Sequence, residues 1–276
     1  MKPDVANQKC GKFGSMKEAF FFLWVLQILC VLPGTAAQPR VALFDRAHGE
    51  LFGPTGSHPL DCSTFASLFK EEGYVIKTQD RAITPDALRG VSVLIISGAF
   101  KDLAVSEVDV IERYVRGGGN VIVLLHVSSP VARLTERFGI IVSNATVYET
   151  DKEAQIDEKP YNFFVSRFHS HPIVSGVKRM AVYGSWALMC EGKNARLLAM
   201  TSPKAYADIT GNKKLDPEDP IQAFGIVASS ETDAGKVLVV ADDTVLSNGF
   251  ITEVDNIRLA RNIVRWLTPA KKAGAK

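Results

Sequence analysis

Residues 91–97, VSVLIIS, form a nearly continuous apolar run without the polar alternation of a strand that has one wet face. Such a strand is buried on both faces, which is the environment of a parallel sheet covered by helices. Three other runs share this character, at residues 40–45 (RVALFD), 120–125 (NVIVLL) and 236–241 (KVLVVA), and residues 74–78 read as a further strand. Between them, apolar residues recur at helical spacing. Residues 60–72 place Phe65, Leu68 and Phe69 on one side and stop at Gly73, while 105–116 repeat Val108, Ile111, Tyr114 and Val115. Residues 255–267 align Ile257, Ala260, Val264 and Leu267, with Asp255 placed as N-cap. Thr84 followed by Pro85 predicts a short helix over 84–90, and 130–139 predict another. This alternation predicts an α/β fold with an open, doubly wound, mostly parallel sheet. Residues 140–235 break the rhythm with short pieces (FFVSRF, RMAVY, ARLLAMTS, AFGIVASS), as antiparallel strands added in the second half of the chain would.

Ahead of this pattern, residues 20–32 (FFFLWVLQILCVL) are apolar, preceded by Lys17 and followed by Pro33, Gly34, Thr35, Ala36 and Ala37. A positive flank, a short apolar core and small residues at the exit predict a cleaved signal peptide over 1–37. A bilayer span needs about 20 residues, longer than this run, so membrane contact is confined to the signal segment. Met16 would give a leader of more ordinary length. The expected organisation is signal peptide 1–37, one α/β domain over 38–269 and a basic tail over 270–276, in the periplasm or another extracytoplasmic space. Removing 1–37 leaves 28 basic and 28 acidic residues from totals of 32 and 30. That balance excludes a nucleic-acid partner, which would demand a basic excess. Cys62 and Cys190 remain; export permits a disulfide between them, but nothing in the spacing requires one, and two buried free thiols are the plainer reading.

Ligands of open α/β sheets bind outside the carboxyl ends of the strands. That rule gathers Asp45 and His48 after the first strand, Ser97 and Gly98 after the third, His126 after the fourth, and Asp242, Asp243 and Asn248 after the last. The long polar loop 46–59 then forms a wall of the cleft. Asp45 has a competing use as a local cap, and His126 as a satisfied core histidine. Asp45, His48, His126 and Asp242 are ligand types that suit zinc or manganese, yet their spacing carries no metal signature, so no metal and no cofactor is expected. His169 and His171 precede Pro172 in a turn. Gly117, Gly118 and Gly119 follow a helix and precede a strand, the reverse of a phosphate cradle, and Gly49, Gly53 and Gly56 lack the lysine of one. The sequon at Asn144 matters only in a glycosylating host.

The segments D-x-x-H-G, GY-V, VLIISG, E-V-x-x-I-x-x-YV-x-GGGNVIVLLH, FHSHPIVSGV and GKVLVVADDTVLSNGF resemble, over about residues 40–267, the class I glutamine amidotransferase-like superfamily. Within it the chain is similar to domain-of-unknown-function family 4350 and to the domains of gliding-motility transporter accessory and intraflagellar transport proteins. The resemblance implies a flavodoxin-like sheet with a cleft at its strand ends. Enzymes of the superfamily carry a cysteine at a sharp turn after a central strand, where a neighbouring base activates it. Here that strand ends in VIVLLHVSSP, with His126 and Ser128 but no cysteine, and the neighbours of Ser128 and Ser129 include no glycine. Glutaminase chemistry is therefore not expected, and no catalytic residue is assigned. The expectation is an exported, non-catalytic domain that binds a carbohydrate or other small molecule or serves as a scaffold in an envelope or transporter-associated complex. Tyr148, Tyr161, Tyr183 and Trp186 are the aromatic groups available to stack on a sugar. The alternative is a hydrolase that uses Asp45, His48, His126 and Asp242, with or without a metal.

Overall fold

In the computed structural model the described residues are 39–126, 129–232 and 234–268. The signal segment, the basic tail and Ser128 lie outside them. Each uninterrupted apolar run becomes a strand because both of its faces are covered. β1 (Arg40–Asp45), β3 (Val93–Ser97), β4 (Asn120–Leu124) and β14 (Lys236–Val240) bury nearly every side chain, whereas β2 (Tyr74–Gln79) alternates as an edge strand does. β1 lies parallel between β2 and β3, β3 is parallel to β4, and β4 is parallel to β14, giving the order β2-β1-β3-β4-β14. The crossovers leave β1 and β3 in opposite directions. α1 (Ser63–Glu71) joins β1 to β2 and packs with α4 (Asn256–Leu267), and α2 (Val105–Arg116) joins β3 to β4 and packs with α3 (Ala132–Glu136). In open sheets with such a reversal, ligands bind outside the carboxyl ends of the strands.

The second half of the chain supplies antiparallel strands. β13 (Gly225–Glu231) pairs with β14, β10 (Trp186–Cys190) with β13, β5 (Ile140–Tyr148) with β10, and β12 (Tyr206–Asp208) with β5. β11 (Ala195–Met200) and β8 (Arg167–Phe168) branch from β13, completing a mixed sheet of 11 strands. β6 (Gln155–Ile156), β7 (Lys159–Val165) and β9 (Met180–Tyr183) depart from the expected single sheet and form a separate small one. No described helix is long and apolar enough to cross a membrane.

Three local expectations need correction. Residues 85–90 form turns instead of a helix. Thr84 does cap, its Oγ1 accepting from Ala87 N–H at 3.2 Å, but one turn without a following apolar face has nothing to propagate it. The helix expected over 130–139 shortens to α3 after a 3-10 turn. Asp255 occupies the N-cap position of α4, its carbonyl accepting from Leu259 N–H, but its side chain does not cap, because Oδ2 accepts instead from Lys178 and Arg179 N–H at 2.9 and 3.2 Å.

Candidate functional site

The loop after β1 opens on a buried ion network. His48 Nδ1 lies 2.5 Å from Asp45 Oδ2, and its Nε2 lies 3.2 Å from Glu107 Oε2 on α2. Asp45, His48, Glu50 and Glu107 are all buried. The hydrogen bond to Asp45 outweighs burial and raises the His48 imidazolium to about 9. Glu107 is fixed in turn by N–H groups of Ile83 and Ala104, at 2.7 and 2.9 Å. Against the upward pull of burial, these bonds and His48 hold its carboxyl below the usual range. Glu50 Oε2 accepts from His48 N–H at 2.9 Å, and burial together with the charge on Asp45 pushes Glu50 up to about 7. Gly49 lets the chain reverse here, with φ of +82°.

Beyond it, the long loop is fastened to the body by two side chains. Asp61 accepts from Gly53 and His58 N–H, both at 2.8 Å, and the Phe52 and His58 rings stack at 5.1 Å. Asn248, reaching across 184 residues, accepts from Thr64 N–H at 2.9 Å and donates to the carbonyls of Gly56 and His58. It supplies the first turn of α1 with the acceptor that Cys62, at the N-cap, does not provide. Asn248 is therefore engaged in holding the loop.

At the ends of β4 and β14 a cavity of about 250 Å³ opens. It is lined by His126, Asp242 and Asp243 together with Thr146, Tyr183, Ser185, Trp186 and Thr244. His126 Nδ1 lies 3.1 Å from Asp243 Oδ1, a bond that raises the imidazole against the opposing effect of burial. Asp242 is wholly buried, accepts from Tyr183 and Thr244 N–H at 2.7 and 2.9 Å, and is pushed up to about 7 by burial and the Asp243 charge. Trp186 Nε1 donates to the His126 carbonyl at 3.2 Å, and Phe100, 42 % exposed, sets its ring 5.1 Å from that of His126. Gly98, with φ of +71°, lies behind the pair: a Cβ there would approach Asp243 Oδ2 to 2.8 Å.

The residues gathered from the sequence thus share one rim and separate into groups. His126, Asp242 and Asp243 line the cavity, with Gly98 against them. Ser97 ends β3 opposite Leu124. Asp45 and His48 lie in the buried network and do not line the cavity, so the four-residue set Asp45, His48, His126 and Asp242 does not surround one opening. Of the aromatic candidates, Tyr183 and Trp186 line it; Tyr148 instead stacks on Tyr206 at 5.1 Å and meets the edge of Tyr161. Glu50 and Glu107 were missed. Glu107 reads in sequence as a surface acid of an amphipathic helix, and Glu50 as one more polar residue of the loop.

Neither described cysteine lines the cavity. Both are free thiols: burial, then the charges of Asp61 and Asp243, push Cys62 up to about 12, and burial pushes Cys190 up to about 11. A larger open groove, about 760 Å³, lies near Glu231 and includes His169, His171, Arg196 and Trp266. Glu231 pairs with Lys236, the first residue of β14, so this groove belongs to the opposite rim. His171 Nδ1 accepts from Ile173 N–H in the turn at Pro172, the structural use expected of the histidine pair.

The human intraflagellar transport protein 52 homolog is 24 % identical over 200 residues, 67 % of this chain and 45 % of that protein, and the mouse homolog matches to the same extent over 46 % of its length. The chain thus spans about half the length of the curated relatives it matches. Among solved structures, the mmIFT52 N-terminal domain superposes with a TM-score of 0.66 at 19 % identity, covering 84 % of this chain and 98 % of that one. Cytoplasmic protein STM1381 from Salmonella typhimurium LT2 gives 0.54 at 12 % identity, over 83 % and 99 %. Both likenesses concern the fold. Residues 57–264 match the model of a domain of unknown function, DUF4350, and the chain belongs to that family.

Proposed function

We propose that the chain is a non-catalytic recognition domain, exported from the cytoplasm, that holds a small polar ligand or a partner segment at the strand-end rim within an envelope or transporter-associated assembly. The observation that carries this reading is the cavity at His126, Asp242 and Asp243, which has an aromatic wall and, among the described residues, no thiol. Tyr183 and Trp186 give a sugar ring or similar ligand an apolar face, and Asp243 accepts from its hydroxyls, while the buried Asp242 holds the strand end. The strand order β2-β1-β3-β4-β14 supports a flavodoxin-like, amidotransferase-type winding, in which this rim is the binding edge. Similarity to intraflagellar transport proteins supports a scaffold role. The test is binding of a panel of neutral and acidic sugars to the purified full chain, followed by heat of titration. Binding without turnover, abolished by Trp186→Ala at unchanged melting temperature, supports the reading; release of ammonia from glutamine contradicts it. Export is tested separately by N-terminal sequencing of the protein recovered from cell fractions.

A hydrolase is the second reading, favoured by the His126–Asp243 pair, in which a carboxylate orients an imidazole beside an open cavity. Turnover of an ester or amide substrate that His126→Ala removes would establish it over the first.

A further inference from the structure

We propose that Asp45, His48 and Glu50 form a binding site for one first-row divalent metal ion, zinc or manganese, that fastens the loop after β1. The ligand atoms of these three side chains all lie within 4.8 Å of one another, and all three residues are buried. They occupy positions 45, 48 and 50 of one short segment, brought to face each other by the left-handed backbone of Gly49.

Two further observations point to a cation. Glu50 is 5 % exposed, and its Oε1 has no hydrogen-bond partner although Oε2 accepts from the backbone of His48. A buried carboxylate oxygen left without a donor is costly, and a cation between Glu50 and Asp45 satisfies it. The second observation is the disposition of the imidazole. Nδ1 faces Asp45, while Nε2 faces Glu107, which is itself held by the N–H groups of Ile83 and Ala104. Metal-bound histidines characteristically donate the other ring N–H to a fixed carboxylate, which sets the tautomer and the ring plane. Glu107 has that place here.

One imidazole and two carboxylates suit zinc or manganese better than a thiolate-seeking ion. Entry of the metal expels the proton held between His48 Nδ1 and Asp45 Oδ2, together with any proton on Glu50, while Nε2 keeps its proton for Glu107. Donors on a tetrahedral zinc stand roughly 3.4 Å apart, so this 2.5 Å contact must open by about 1 Å. Neither Asp45, His48 nor Glu50 lines the rim cavity, so the role is structural and independent of any ligand bound at His126.

The test uses the purified full chain, stripped with EDTA, returned to chelator-free buffer and titrated calorimetrically with zinc chloride and with manganese chloride. One equivalent of at least one metal is expected, with affinity at least 10-fold weaker in Glu50→Gln, which keeps an acceptor for His48 N–H. X-ray absorption at the metal edge should report one imidazole with oxygen neighbours, a readout that does not depend on the variant folding. Failure of folded wild-type protein to bind either metal, equal affinity in a folded Glu50→Gln, or a sulfur or a second imidazole in the coordination shell overturns the proposal.

Discussion

His126 Nδ1 and Asp243 Oδ1 lie 3.1 Å apart, joining the ends of β4 and β14 although 117 residues separate them in the chain. Each side chain leaves its strand at the same rim because β4 and β14 are parallel and in register up to Leu124 and Val240. The contact therefore follows from the sheet, and it aims an imidazole and a carboxylate into the cavity.

Replacing Asp243 by asparagine removes that partner, and the His126 pKa should fall, as followed by the imidazole proton resonances in an NMR titration. The folded value is raised, so the pair stabilises the protein at low pH and loses its effect as pH rises through the His126 transition. Because the His126 side chain is 36 % exposed, the stability change at pH 6 should stay within about 1 kcal/mol.

Asp242 shifts stability with pH in the same direction, and from a buried site. Its carboxyl is wholly buried and raised to about 7, so the folded state holds a proton that the unfolded chain has released. Its contribution is fully present below about pH 4 and is lost as pH rises past 7, on the order of 4 kcal/mol in total. Urea denaturation at pH 5 and pH 8 spans only part of that range and should show roughly 2.5 kcal/mol of it in the wild type and less in Asp242→Asn. Equal slopes in the two proteins would count against the buried acid.

Gly98→Ala forces a Cβ into a left-handed backbone and to 2.8 Å from Asp243 Oδ2. A loss of about 2 kcal/mol is expected from the urea midpoint, with the m-value unchanged. Asn248→Ala removes the remote cap of α1 and the fastening of the long loop, and about 1–3 kcal/mol should be lost.

The two thiols should resist alkylation in the native protein, since both are driven well above their ordinary pKa and Cys62 is buried. Labelling of Cys62 by a neutral maleimide at pH 7.5 should await unfolding. Rapid labelling of Cys62 or Cys190 in the native protein, located by peptide mapping, would contradict the burial that raises these two thiols.

What the sequence reveals here follows from how far apart the interacting groups lie. The strands are legible because burial on both faces leaves uninterrupted apolar runs, and the rim residues because they sit directly after those runs. Glu107 was not legible, since only the distant His48 and Ile83 distinguish it from the solvated acids of α2. Asn248 reads as a cleft residue until its contacts with Thr64 and Gly56 appear. The branch of β8 and β11 from β13, and the separate sheet of β6, β7 and β9, were equally hidden, because short alternating strands fix no partner by themselves.

The central claim is that the cavity beside His126 and Trp186 recognises a ligand without transforming it. Saturation-transfer difference NMR on the full chain, with a mixture of monosaccharides and their acid derivatives, addresses it most directly. Transfer to at least one intact compound, lost in both His126→Ala and Trp186→Ala with folding preserved, is the expected result. Consumption of that compound over the course of the experiment, or transfer undiminished in both variants, would contradict the claim.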